Sequence, residues 1–287
     1  MQEENFPALY RSADELSLSS QRQFFSALRM HLIMLIVAAI LSIVGISHWV
    51  VAALQLIALL GALGCSIYLF SVRPDRLWYA GRAVAESIKT ITWRYVCKAE
   101  PFQAENKNSS NDFRKKLGQI VEQNKEVCQL LTKYLDAAQL TAAMENMRSC
   151  PLEQRRKNYA DFRIKDQLVW YAKKAKLNRR VSNYFFWALI GVNAVAVAFA
   201  VLRFAFLQLP FWPTDVFVAT AASVLTWMQA KRFSELAASY ALAAHEISLI
   251  SEQSLLPETD ERFSIFVGDA ENAFSREHTQ WVARKDV

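Results

Sequence analysis

The chain has 287 residues, a formal net charge of +6, 53% hydrophobic residues, and only 7 Gly and 7 Pro. So few turn formers exclude a β-sandwich, a barrel or a disordered linker, and long segments rich in Ala, Leu, Lys, Glu and Gln point to an all-α fold. Cys65, Cys97, Cys128 and Cys150 show no paired spacing and no neighbouring histidine pattern, so neither a disulfide framework nor a zinc site is expected.

The apolar residues collect in two blocks, about 30–72 and 184–230. From Leu32 to Ile46 the only polar residue is Ser42, and after Ser47-His48-Trp49 the run resumes to Val72 with little but Gln55 to break it. A bilayer-crossing helix needs ~20 apolar residues, so this block predicts two spans, about 30–48 and 50–72, joined by a tight Ser-His-Trp turn. Roughly 30 mostly polar residues precede it and a second span follows at once, which argues against a signal peptide. In the second block Tyr184 begins a span of about 184–204. Pro210 and Pro213 mark the turn, and Thr214 begins the return span, about 214–230. Trp49, Trp187, Trp212 and Trp227 lie near span ends as an interfacial belt, and Arg203 can snorkel to headgroups. The alternative is a soluble core enclosing two apolar helical hairpins.

Charge orients the hairpins. Residues 73–182 hold 23 Lys and Arg against 12 Asp and Glu, whereas the short turns hold almost none. Arg73 and Arg76 follow the second span, Arg179 and Arg180 precede the third, and Lys231-Arg232 follow the fourth. The positive-inside rule therefore expects a multi-pass protein with both termini and the middle segment in the cytoplasm.

Pro74 with Asp75 suits a helix start, and Leu77, Gly81, Val84, Ile88, Ile91 and Tyr95 form a coiled-coil-like seam on a helix at 75–99. Ser110 to Asp112 cap a second amphipathic helix at 111–135, with Leu117, Ile120, Val121, Val127, Leu130, Leu131 and Tyr134 on one face. A helix at 152–182 leads into the third span. After the fourth span, residues 231–255 prolong the membrane helix until Pro257. A last helix at 259–283 carries Phe263, Phe266, Ala270, Phe274 and Trp281 on one face.

Leu77 to Ala83, "LWYAGRA", nearly recurs as "VWYAKKA", Val169 to Ala175. Trp78 and Arg82, like Trp170 and Lys174, are four apart, so each cation can lie against an indole beside the membrane. Trp78, Tyr79, Arg82, Trp170, Tyr171 and Lys174 are thus candidate membrane-junction residues. They serve either to anchor helices at the headgroups or to transmit movement of the cytoplasmic helices to the spans. The motif follows its hairpin once and precedes it once, which suggests two related units but not a clean tandem repeat.

The segments "WYAGRAVAESIKTITWRYVCKAEPF" and "YADFRIKDQLVWYAKKAKLNRR" resemble the bacterial SLATT family, the SMODS- and SLOG-associating two-transmembrane effector domains. The resemblance covers nearly the whole chain as two fused units, 1–140 and 141–287. It implies a membrane effector of a prokaryotic conflict system. Such an effector acts beside a nucleotide-second-messenger synthetase or sensor and compromises the membrane when invasion is sensed.

No Walker loop, Gly-x-Gly-x-x-Gly, His-Glu-x-x-His, nucleophile elbow or DNA-reading motif is present, so no catalytic, metal or cofactor site is expected. His31, His48, His245 and His278 are scattered, and the first two read as interfacial. Glu86, four after Arg82, reads as an intrahelical partner. The basic middle segment is read as attraction to an anionic leaflet rather than to nucleic acid. Two function classes stand: a homo-oligomeric pore, and a non-conducting scaffold or sensor that recruits a cytoplasmic partner. A membrane enzyme comes third, for want of a polar constellation. Thr220, Ser223 and Thr226, three apart on the fourth span, and Asn193, mid-span on the third, are candidate pore-lining residues. Interhelical hydrogen bonds are the competing explanation for each.

Overall fold

The computed structural model describes residues 3–43, 49–103, 108–206 and 212–283, with side chains as far as Ser275. The expected turn residues Ser47 and His48, the second turn's Gln208 and Pro210, and the terminal Val287 lie outside them, as does the Trp281 side chain. Among the described residues all regular structure is helical: α1 (Ala8–Ile43), α2 (Trp49–Val72), α3 (Pro74–Val96), α4 (Ser109–Gln123), α5 (Lys125–Cys128), α6 (Ala142–Ser149), α7 (Leu152–Tyr159), a π-helical turn (Ala160–Ile164), α8 (Lys165–Ala205), α9 (Thr214–Lys231), α10 (Phe233–Gln253) and α11 (Asp260–Ala283).

Two of the boundaries that differ from the sequence reading have a visible local cause. The helix expected to run to residue 135 ends at Gln123, because Asn124 leaves helical geometry (φ −125°, ψ 38°) and turns its amide back to the Ile120 carbonyl at 2.8 Å. The fourth span is not prolonged. Arg232 takes a left-handed conformation (φ 50°) and separates α9 from α10. Arg73 (φ 48°) separates α2 from α3 in the same way, and Pro74, fixed in φ, opens the new helix.

The chain forms two compact units. One comprises residues 1–21, 75–172 and 241–287, the other 22–74 and 173–240. The second unit holds both apolar blocks. Length and composition suit three helices to cross a membrane: α1, the stretch Trp49–Val96 that contains α2, and the stretch Leu152–Ala205 that ends in α8. Much of their apolar surface faces outward, including Leu56, Ile57, Leu60, Leu63 and Phe70 on α2 and Trp187, Val197, Val201 and Phe204 on α8. So much contiguous exposed apolar surface is unfavourable in water and natural in hydrocarbon.

Small residues let α2 approach α1. Ala58 and Ala62 are buried, and a Cβ on Gly61 would meet Met34 Sδ at 3.2 Å. Polar contacts join the same pair, among them His31 Nδ1, 3.0 Å from the Ala62 carbonyl, and Gln55 Nε2, which donates to the Ala38 carbonyl at 3.4 Å. His31, expected at the membrane interface, also joins α1 to α2. Phe199 stacks on Phe217 between α8 and α9 at 5.4 Å, and Phe185 on Phe233 between α8 and α10 at 5.5 Å. Phe25 of α1 meets Trp227 of α9 edge-on at 5.8 Å, with the Lys231 ammonium 3.3 Å above the Phe25 ring.

The first unit has an aromatic core threaded by α3. Trp93, Tyr95, Phe102, Phe113, Tyr159 and Phe263 are fully buried. Trp93 meets Phe6 and Tyr159 edge-on, and Tyr159 meets Phe263. From the expected seam on α3, Gly81, Val84, Ile88 and Tyr95 are buried, while Leu77 and Ile91 are half-buried. The helix ends against two buried guanidiniums. Arg148 donates to the Tyr95 and Phe102 carbonyls, and Arg155 to the Cys97 carbonyl at 2.8 Å. Cations there satisfy carbonyls that no further helical turn can reach.

Candidate functional site

The first Trp-Tyr-Ala motif lies where α3 crosses α1. Gly81 is needed for that approach: a Cβ there would stand 3.1 Å from both the Ala13 carbonyl oxygen and the Ser17 nitrogen. One residue on, Arg82 Nη2 reaches Glu86 at 2.8 Å and Nη1 reaches Asp14 of α1 at 3.5 Å. Glu86 is the intrahelical partner the spacing predicts, and Asp14 is an addition invisible in the motif. Burial, only partly offset by Arg82, holds the Asp14 carboxyl above the usual carboxylate range. Desolvation works against the charge on Arg82, but Glu86 and Asp14 outweigh it and hold the guanidinium above its ordinary value. The shorter contact is the better bond, so the Arg82 charge is satisfied chiefly by Glu86.

Trp78 stacks on Tyr79 with ring centres 4.4 Å apart. In the second motif Trp170 stands edge-on to Tyr171 at 4.9 Å; Tyr171 is buried and Trp170 exposed. The division between the units falls after Ala172, so Lys174, half-buried, belongs to the other unit from Trp170. The two motifs are therefore not equivalent. The second has Lys173 where the first has Gly81, and only the first carries a glycine at a helix crossing.

A charged core that the sequence reading missed lies deeper in the first unit. Arg163 and Glu271 are both buried. Arg163 Nε and Nη2 each donate to one oxygen of the Glu271 carboxylate at 2.8 Å. Tyr159 Oη and Thr90 Oγ1 donate to the same two oxygens at 3.0 and 3.1 Å. The four bonds bring α3, α7, the π-helical turn and α11 to one carboxylate. An extra residue in the turn marks such π-segments, and here the turn places both Arg163 and Ile164 inside. Desolvation opposes the Arg163 charge, but Glu271 outweighs it and holds the guanidinium above its ordinary range. Burial pushes the Tyr159 hydroxyl up as well. A signal was present in the sequence: Glu271 falls in phase with Phe263, Val267 and Phe274, a carboxylate in the middle of an apolar stripe.

The four candidate lining residues all belong to the second unit, in different surroundings. Ser223 is buried, Thr220 half-buried, and Thr226 and Asn193 exposed. Three of them turn back on their own helix: Thr220 Oγ1 to the Val216 carbonyl at 2.7 Å, Thr226 Oγ1 to Ala222 at 2.8 Å, and Asn193 Nδ2 to Leu189 at 2.8 Å. Among the described residues no three of His, Cys, Asp and Glu converge as metal ligands would.

Two pairs of apolar helices, α1 with α2 and α8 with α9, are each followed by a left-handed arginine and a further helix, the pattern of a fusion of two related units, and comparison with protein families agrees. Residues 7–156 match the model of SMODS and SLOG-associating 2TM effector domain 3, and residues 159–281 match that of SMODS and SLOG-associating 2TM effector domain 1. The chain belongs to the SLATT family. No curated protein and no solved structure matches it. SLATT domains are membrane effector domains associated with conflict and defence systems, and they are not known as enzymes. The two matches meet between residues 156 and 159, and neither coincides with a compact unit: the first unit takes helices from both matches, and so does the second.

Proposed function

We infer that this chain is an effector of a bacterial anti-phage defence system, in which several copies assemble a pore in the inner membrane when a nucleotide-linked sensor is triggered. One observation carries the reading: two SLATT modules whose α2 and α8 expose apolar faces suited only to lipid or neighbouring helices. All four apolar helices cross in this reading, and both termini lie in the cytoplasm. Helix α9 spans about 27 Å at ~1.5 Å per residue, close to the hydrocarbon thickness. Helix α1 would carry the signal, since its N-terminal part is gripped at Gly81 and Arg82 and its C-terminal part is a span. Thr226 and Asn193 are the lining groups best suited to face a shared water path, because both are exposed. The activating partner is a nucleotide second messenger or its synthetase or sensor, and the reading requires neither cofactor nor nucleic acid.

The scaffold reading draws support from the back-bonded Thr220, Thr226 and Asn193, which already satisfy their own polar groups as residues in lipid do. Ion flux from liposomes separates the two. A pore releases ions, and Thr226→Val together with Asn193→Leu lowers the flux at equal membrane abundance. A scaffold is silent even with its trigger supplied. Ser223 is a poor site for this test because a leucine there would overpack a buried position.

A further inference from the structure

The duplication leaves one half of a paired contact unmade. Aligned on their left-handed arginines, α3 and α10 place Val84 opposite Ala243 and Ile88 opposite Ile247, all four buried. Helices α4 and α11 align equally well on Phe113-Arg-Lys-Lys-Leu-Gly118 and Phe263-Ser-Ile-Phe-Val-Gly268, with Phe113, Leu117, Phe263 and Val267 buried. The docking of α11 on α3 is explicit. Thr90 donates to Glu271 at 3.1 Å, and Arg94 Nη2 donates to the Gly268 carbonyl at 3.1 Å and to Asn272 Oδ1 at 2.7 Å. The alignments carry Thr90 and Arg94 of α3 to Leu249 and Gln253 of α10. They carry Gly268, Glu271 and Asn272 of α11 to Gly118, Val121 and Glu122 of α4. All five of these counterparts are exposed.

Their chemistry is complementary. Where the made contact pairs a hydroxyl with a carboxylate, the unmade one would pair Leu249, 63% exposed, with Val121. Leu242, one heptad before Leu249, extends the stripe. Exposed Glu246 and Glu252 flank it on α10, whereas Arg114, Lys115 and Lys116 are exposed on α4. Gly118 and its counterpart Gly268 alike have nothing within 4 Å of where a Cβ would be, so each glycine leaves its stretch of helix surface low and open.

We propose that α4 of one copy docks on the Leu242–Leu249 face of α10 in the next copy, repeating between chains the α11-on-α3 contact made within one. The contact joins two different surfaces, so it is heterologous and closes into a ring when the rotation per copy permits. This inference rests on the multi-copy reading above and names its interface.

Full-length chain in nanodiscs, sized by native mass spectrometry, tests it. Leu249→Asp alone and Val121→Lys alone should each weaken self-association on the order of 10- to 100-fold, since each sets a charge against an apolar partner. Mixing the two variants should restore assembly, because lysine on one α4 then meets aspartate on the neighbouring α10 while the reciprocal contact is native. Helicity and thermal unfolding verify that each variant is folded. The charge pair Lys115→Glu/Lys116→Glu and Glu246→Lys/Glu252→Lys, also mixed, gives a second measurement at sites that bury nothing. Assembly by either single variant at the parent's strength, or folded variants that do not rescue each other, overturns the proposal; failure to rescue is also the outcome for symmetric α10-on-α10 pairing. Rescued assembly in liposomes that conduct no ions would count against the pore and leave the interface standing.

Discussion

Arg163 and Glu271 meet through two parallel hydrogen bonds of 2.8 Å, and neither side chain is appreciably exposed. A buried pair of this kind is strongly destabilising to break and cheap to replace whole. Glu271→Ala leaves a guanidinium in the core and strips Tyr159 and Thr90 of their acceptor. The expected loss is about 3–5 kcal/mol of unfolding free energy. Arg163→Met with Glu271→Leu should cost much less than Glu271→Ala alone. Denaturant unfolding of the detergent-solubilised chain measures both, and equal losses would show that the pair is not coupled.

Gly81 permits an approach that any side chain would block. With the Ala13 carbonyl and the Ser17 nitrogen each 3.1 Å from the position of a Cβ, the obstructing atoms are backbone and cannot rotate away. Gly81→Val should lower stability by about 1–3 kcal/mol and displace α1 from α3. Cross-linking efficiency between cysteines placed at Asp14 and Glu86 reports the displacement. Lys173→Val, at the corresponding place in the second motif, should leave stability within about 0.5 kcal/mol, as surface changes do.

Asp14 gives the first unit a dependence on pH. Its carboxyl, raised chiefly by burial, binds its proton more tightly folded than unfolded. Stability is therefore lost as pH rises from the ordinary carboxylate range through the raised value, and the penalty stays in force above it. Asp14→Asn has no such titration. The melting temperature of the variant minus that of the parent should rise as pH climbs out of the ordinary carboxylate range, about pH 4, and level off above the raised value. A difference that is flat over this range would remove Asp14 as its source.

Topology is tested with reporters. A reporter inserted at Asn108 or fused after Val287 should read cytoplasmic, whereas insertions at His48 and Gln208 should read external. A cytoplasmic reading at His48 would end the two-hairpin arrangement, because α1 and α2 could not then both cross.

The apolar runs and the amphipathic faces were readable because hydrophobic periodicity is local. Val84, Ile88 and Tyr95 repeat at helical spacing, and Pro74 announces its helix. The break at Arg232 has no such marker, since an arginine with positive φ is uncommon and no residue preference signals it, whereas Pro74 marks the one at Arg73. The four-residue spacing pairs Trp78 with Arg82, yet Arg82 also reaches Asp14, far away in the chain. The pairing of Glu271 with Arg163 is long-range in the same sense. Pattern flags a carboxylate on an apolar stripe, and only the tertiary fold supplies its guanidinium. The lining candidates show a further limit: Ser223 and Thr226 lie three apart, yet one is buried and the other exposed, since a helix face is defined by its neighbours.

The bond from Thr90 to Glu271 runs between segments that match two different family models. A gene severed between Arg156 and Tyr159 would not release two free-standing proteins. The upstream fragment would lose Tyr159 from against Trp93, Thr90 would lose Glu271, and Arg94 would lose Gly268 and Asn272. The downstream fragment would keep Arg163 with Glu271 but lack the helix they fasten. The two halves are thus complementing fragments held on one polypeptide, and their ratio is fixed at one to one by translation rather than by affinity.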